Sequence, residues 1–177
     1  MKYIIFLRAI NVGGNRKIKM LDLREVLTAN AYQNVTTYIQ SGNVIAEHAE
    51  TSYEWVQENI AALIEDAFGF DVPAIVFPLD EYVQGILQKP FEEEKLMVHF
   101  LSQVPEAVDL DTLKELGKDQ QDRCEITGRF LYVNLSAGVS DSIYSNKLVE
   151  RVLRVKATAR NWRTVTTMQE KSNKIRR

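Results

Sequence analysis

The chain has 177 residues, 45% apolar and 26% charged, the composition of a globular protein able to bury a core without staples. Its single cysteine, Cys124, excludes an intramolecular disulfide, and neither a signal peptide nor a run of roughly 18 apolar residues is present, so a cytoplasmic protein without membrane contact is expected. The net charge of −2 hides a split of +5 over residues 1–24, −15 over 25–146 and +8 over 147–177, which suggests either an anionic partner or ends that pair with an acidic middle.

Residues 3–10 are β-branched and aromatic enough for a buried strand, broken by Asn11-Val12-Gly13-Gly14-Asn15, where residues tolerant of positive φ cluster. Met20, Leu23 and Leu27 recur at helical spacing over residues 20–30. Strands follow at 35–40 and 44–48, with Gly42-Asn43 fitting a type II′ turn. Thr51-Ser52-Tyr53-Glu54 reads as a capping box for a helix that Gly69 ends, and 71–77 is another strand. Residues 1–78 therefore spell β-α-β-β-α-β.

A connecting helix over 79–87 and the Lys89-Pro90-Phe91-Glu92 linker fill residues 79–95, and then the pattern restarts. Strand 96–101, helix 109–116 closed by Gly117, strands 123–126 and 130–135, helix 146–155 and strand 157–160 make a second β-α-β-β-α-β unit over 96–177, with a C-terminal helix from Asn161. The fold class expected is α+β, two tandem ferredoxin-like repeats with antiparallel sheets. Phe6-Leu7 echoes Phe100-Leu101, and Ser41-Gly42-Asn43 occupies the place of Thr127-Gly128-Arg129.

Several segments stand out as a set. Phe6-Leu7-Arg8-Ala9-Ile10-Asn11-Val12-Gly13-Gly14, Lys19-Met20 and Tyr38-Ile39-Gln40-Ser41-Gly42-Asn43-Val44, together with Thr158-Ala159-Arg160-Asn161-Trp162-Arg163-Thr164-Val165, resemble the signatures of the family known as domain of unknown function 1697. The resemblance spans essentially the whole chain. It implies a ferredoxin-like duplication and implies no reaction.

Arg8 and Asn11 flank a Gly13-Gly14 turn whose backbone N–H groups could meet an anion, although neither a P-loop nor a dinucleotide fingerprint is present. Arg8 as a plain sheet-surface arginine is the alternative. Ser41, Gly42 and Asn43 suit a turn, and a nucleophilic Ser41 would need a base, for which only His48 and His99 are available. Arg160, Asn161, Trp162 and Arg163 fall at a helix start, where cations oppose the macrodipole unless an anion or a carboxylate compensates. Trp162 as core is the competing account. No metal-ligand spacing exists and no cofactor is expected. Cys124 is expected to be packed, Glu92-Glu93-Glu94 to be a solvated loop, and Lys171–Arg177 to be a basic tail.

The leading expectation is a small phosphate-bearing ligand bound between the repeats. Arg8 and Asn11 would orient it, Lys147, Arg160 and Arg163 supply charge, Trp162 stack, and Gly13, Gly14, Ser41, Asn43 and Asn161 line the site. Nucleic-acid binding is the less favoured reading. It rests on the shared element order and on Phe130 and Tyr132 as stacking groups, without an RNP1-like pattern. A protein-interaction module with no ligand is the third.

Overall fold

The structure, a computed structural model, describes residues 1–92, 95–135 and 142–174. Glu93, Glu94 and the last three residues of the basic tail lie outside the described residues. By compactness the chain divides into two units, Met1–Val83 with Thr167–Arg177, and Gln84–Thr166. The sequence boundaries group Thr167–Arg177 with the second repeat, but these residues are in the first unit. Inside that unit Lys2 Nζ donates to Ser172 O (3.1 Å), and Lys171 Nζ lies 5.3 Å from the centre of the Tyr38 ring.

The first unit runs β1 (Lys2–Leu7), α1 (Met20–Ala29), β2 (Gln33–Tyr38), β3 (Asn43–Glu47), α2 (Tyr53–Phe68) and β4 (Ala74–Pro78), followed by α3 (Leu79–Leu87). Its antiparallel sheet has the order β2-β3-β1-β4. β1 ends three residues before the apolar run does, because Ala9 and Asn11 turn into the left-handed region (φ 55° each) and leave the ladder. Ser52, not Thr51, caps α2 by accepting from Trp55 N, and Gly69 closes the helix at φ 75°. Tyr3, Ile5 and Leu7 meet Leu23, Leu27, Val56, Ile60 and Ile64 from the two helices in one core. Each such side chain removed from water contributes about 1.5–3 kcal/mol.

The second unit repeats the plan with β5 (Leu96–Leu101), α4 (Ala107–Leu116), β6 (Arg123–Thr127), β7 (Phe130–Asn134), α5 (Asn146–Leu153) and β8 (Ala157–Asn161), in the order β6-β7-β5-β8, before α6 (Trp162–Lys174). Leu101, Leu131, Val133 and Ala157 pack on Leu113, Val149 and Leu153. On the opposite face Phe130 and Tyr132 are buried: Gly85 lacks the Cβ that would collide with the Phe130 ring, and its carbonyl accepts from Tyr132 Oη (2.6 Å).

The duplication extends to register. Phe6 pairs with Asn43 and Ile75, and Phe100 with Phe130 and Thr158. Leu7 N donates to Gly42 O and Arg8 N to Pro73 O. Leu101 N correspondingly donates to Arg129 O and Ser102 N to Lys156 O. Gly42 is thus equivalent to Arg129, one residue off the alignment read from the sequence.

Turn chemistry differs between the repeats. Tyr38 pairs with Asn43, so β2 and β3 are joined by the four residues 39–42 rather than by a two-residue type II′ turn at Gly42-Asn43. Thr127 pairs with Phe130, leaving a two-residue turn with Gly128 first at φ 56°, the glycine-first pattern of type II′.

Candidate functional site

At the β1 exit of the first unit two loops are bound together. In the 8–19 loop, Ala9, Asn11, Gly13, Gly14 and Arg16 all have positive φ. Asn15 N donates to Val12 O, so Gly13 and Gly14 are the centre of a tight two-residue turn of type I′. The Asn11 carboxamide is committed to backbone. Its Nδ2 donates to Ile18 O (2.9 Å) and Gln40 O (2.7 Å), and its Oδ1 accepts from Ile18 N (2.8 Å). It fastens the loop to the β2–β3 turn, which is a structural task. In that turn Asn43, fully buried, donates to Tyr38 O and Ser41 Oγ.

Ser41 has no histidine from β3 to activate it. His48 follows the far end of that strand, about 17 Å away for five extended residues, and its Nδ1 accepts from Glu50 N. The His48 ring lies between Tyr32 and Trp55, at centroid distances of 4.5 and 5.4 Å.

Ile39 is held at φ 50° although β-branched and half exposed. Such residues rarely adopt this conformation, and the strain amounts to about 1 kcal/mol or more. Ile39→Asn relieves it with little loss of burial, and is expected to raise the melting temperature by about 2–4 °C in a scanning calorimeter.

Beside this turn is a cleft of about 400 Å³ lined by Lys19, Met20, Leu21, Arg24, Thr37, Ile39 and Gln40. Arg24 Nη1 donates to Thr37 Oγ1 (2.6 Å). Of these residues Lys19-Met20 and Ile39-Gln40 belong to the resembling segments. Arg24 and Thr37 belong to no motif in the sequence; the excess of basic residues over 1–24 points to Arg24, and nothing local marks Thr37.

In the second unit the segment from Arg160 to Arg163 straddles a strand end. Arg160 and Asn161 belong to β8, so the helix starts one residue later than the sequence suggests and only Arg163 is a cation in its first turn. Arg160 is buried, its Nη1 donating to Thr158 Oγ1 (2.8 Å) and Ala159 O (2.9 Å). Asn161 Oδ1 accepts from Thr164 N and caps α6. Trp162 packs near Tyr132 and carries Lys89 Nζ at 5.2 Å from its ring centre. Arg163 is exposed.

Lys147 lies elsewhere, in a cleft of about 550 Å³ lined by Ser102, Gln103, Lys147, Glu150, Arg151, Arg154, Val155 and Lys156. Lys147 and Arg151 fall at i and i+4, one face of α5. Arg154, left-handed at the end of α5 (φ 56°), makes a bidentate pair with Asp109. Glu150 Oε1 accepts from Ala157 N. The ladder positions Ser102 and Lys156 across the cleft, Ser102 N donating to Lys156 O and Lys156 N to Ser102 Oγ. Lys147, Arg151 and Lys156 meet no carboxylate among the described residues.

Two other groups are structural. His99 is buried, with Nδ1 3.0 Å from Asn146 Oδ1. Desolvation pulls its pKa down to about 4, against hydrogen bonds to Asn146 and the Tyr144 backbone that favour the charged form. Burial pushes the Cys124 thiol up, against its hydrogen bond to Tyr144, so it is not an activated nucleophile. Among the described residues no group of three or more His, Cys, Asp or Glu could hold a metal ion, and no helix is long and apolar enough to cross a membrane.

These features define an α+β protein made of two ferredoxin-like repeats, each with a cleft that borders one of its helices and carries basic side chains. Residues 1–132 match the family described as protein of unknown function (DUF1697), and the chain belongs to that family. The segment Thr158–Val165, read from the sequence as a second signature, lies outside the matched residues. The fold is shared with the conserved bacterial protein SP0830 from Streptococcus pneumoniae, at 20% identity over 96% of this chain and 97% of that one, with a TM-score of 0.71. No curated protein matches the chain.

Proposed function

We propose that the protein binds a small phosphate-bearing ligand, and that the cleft of the second unit holds it. The observation that carries this reading is the gathering of Lys147, Arg151, Arg154 and Lys156 around one concavity with a single carboxylate, Glu150, on its lining. Cations concentrated in a cleft raise the local potential and draw in anions. Arg151 and the two lysines contribute charge that meets no carboxylate in an ion pair among the described residues. Arg154, pinned by Asp109, adds a guanidinium of fixed direction. Of the residues expected from the sequence, Lys147 is the one in this cleft.

Nucleic-acid binding is less well supported. Its stacking groups, Phe130 and Tyr132, are buried against Gly85 and present no face to a base.

Isothermal titration with pyrophosphate and with ADP at low salt tests the proposal. Saturable binding is expected, weakened at least tenfold in the Lys147→Glu, Arg151→Glu double variant, a loss of about 1.4 kcal/mol. Equal binding by the variant would move the ligand elsewhere, and no heat with either probe would count against a phosphate-bearing ligand.

A further inference from the structure

We propose that the cleft of the first unit, between α1 and the end of β2, is a separate binding site for an amphipathic carboxylate: one carboxylate on a short aliphatic body. This inference does not depend on the second unit's cleft.

The first ground is Arg24. Its side chain is partly buried, and its contact is a hydrogen bond from Nη1 to the neutral hydroxyl of Thr37. Among the described residues no carboxylate lies within ion-pair distance of it. A guanidinium partly withdrawn from water and left without an anion is costly. It also retains donors in a fork that matches a carboxylate. Thr37 fixes the direction of that fork, and Lys19 adds a second cation on the same lining.

The second ground is the apolar remainder of the cleft. Met20, Leu21 and Ile39 line it, and Leu21 and Ile39 are 58% and 51% exposed. Large aliphatic groups left in water beside an uncompensated cation call for a ligand with both characters. Inorganic phosphate gains nothing from the aliphatic walls, and an alkanol offers no charge to the guanidinium. A volume of about 400 Å³ accommodates a short-chain acid.

The third ground is conformational. Ile39 is a wall of this cleft, and it is also the β-branched residue held left-handed. Strain of this kind concentrates at ligand-binding positions. The Asn11 link to Gln40 O and the Leu7 link to Gly42 O hold the turn from both sides.

The test is a nitrogen-15 NMR titration of the full chain with hexanoate, compared with acetate, inorganic phosphate and 1-hexanol. Hexanoate is expected to shift the amides of Leu21, Arg24, Ile39 and Gln40 saturably, with each of the other three at least tenfold weaker at those residues. Arg24→Gln is expected to weaken hexanoate at least tenfold and Lys19→Gln about threefold. Ile39→Asn should weaken it about fivefold while melting higher than the wild type, a combination that loss of folding cannot produce. The proposal is overturned by the absence of saturable shifts at these residues, by acetate or phosphate matching hexanoate there, or by Ile39→Asn and Lys19→Gln both binding like the wild type.

Discussion

Gly42→Ala will cost the first unit about 3 kcal/mol or more, while Gly13→Ala will cost about 1 kcal/mol. Both glycines have positive φ, 85° and 59°, so both substitutions meet the conformational penalty of an L-residue in the left-handed region. Their surroundings differ. A Cβ on Gly13 has nothing within 4 Å, whereas one on Gly42 would lie 2.7 Å from Leu7 Cβ and 2.9 Å from Ile10 Cδ1. Leu7 Cβ is fixed to a strand backbone whose own N–H donates to Gly42 O, so it cannot retreat without breaking that bond. Overpacking of this kind adds about 1–3 kcal/mol. With Trp162 replaced by phenylalanine, Trp55 reports the first unit alone, and urea unfolding of the two variants in that background gives the comparison. Equal losses would show that the loop yields and that the close approach at Leu7 carries no weight.

The second unit will lose about 3 kcal/mol of stability between pH 6.5 and pH 4 through His99. Burial holds its pKa near 4 in the folded protein, below the ordinary value of 6.5. Across that interval the unfolded chain binds a proton that the folded one refuses, so stability rises with pH and is complete only above about 6.5. The difference between the two pKa values sets the size, at 1.36 kcal/mol for each tenfold change. In a Trp55→Phe background, Trp162 fluorescence reports this unit. His99→Gln, which keeps a hydrogen-bonding group beside Asn146, should flatten the pH dependence by that amount. An unchanged slope would mean that the acid sensitivity originates in other groups.

How much of this was legible beforehand depended on the distance over which each feature is determined. Element order follows from local signals such as the Ser52 cap, Gly69 and the apolar spacing in α2, and it reads correctly from the sequence. The β2–β3 connection does not, because Ile39 occupies a conformation its side chain disfavours and only the grip of Asn11 and Leu7 on the turn keeps it there. The role of Asn11 was hidden for the same reason: its partners, Ile18 and Gln40, are brought to it by the fold. The spacing of Lys147 and Arg151 on α5, with Arg154 just after it, is present in the chain, yet the concavity appears only when the ladder brings Ser102 and Lys156 alongside. Phe130 and Tyr132 alternate as surface aromatics would. Their burial needs Gly85, whose missing Cβ is meaningful only once the Phe130 ring lies against it.

The assignment of Thr167–Arg177 to the first unit has a consequence for synthesis. A chain made from its N-terminus completes the second unit once residue 166 is available, while the first, begun earlier, still lacks its last helical segment. Lys2, in the opening strand, waits for Ser172. Of the two repeats, the one translated first is therefore the one finished last, and until then it stands without part of its own covering as the nascent chain grows.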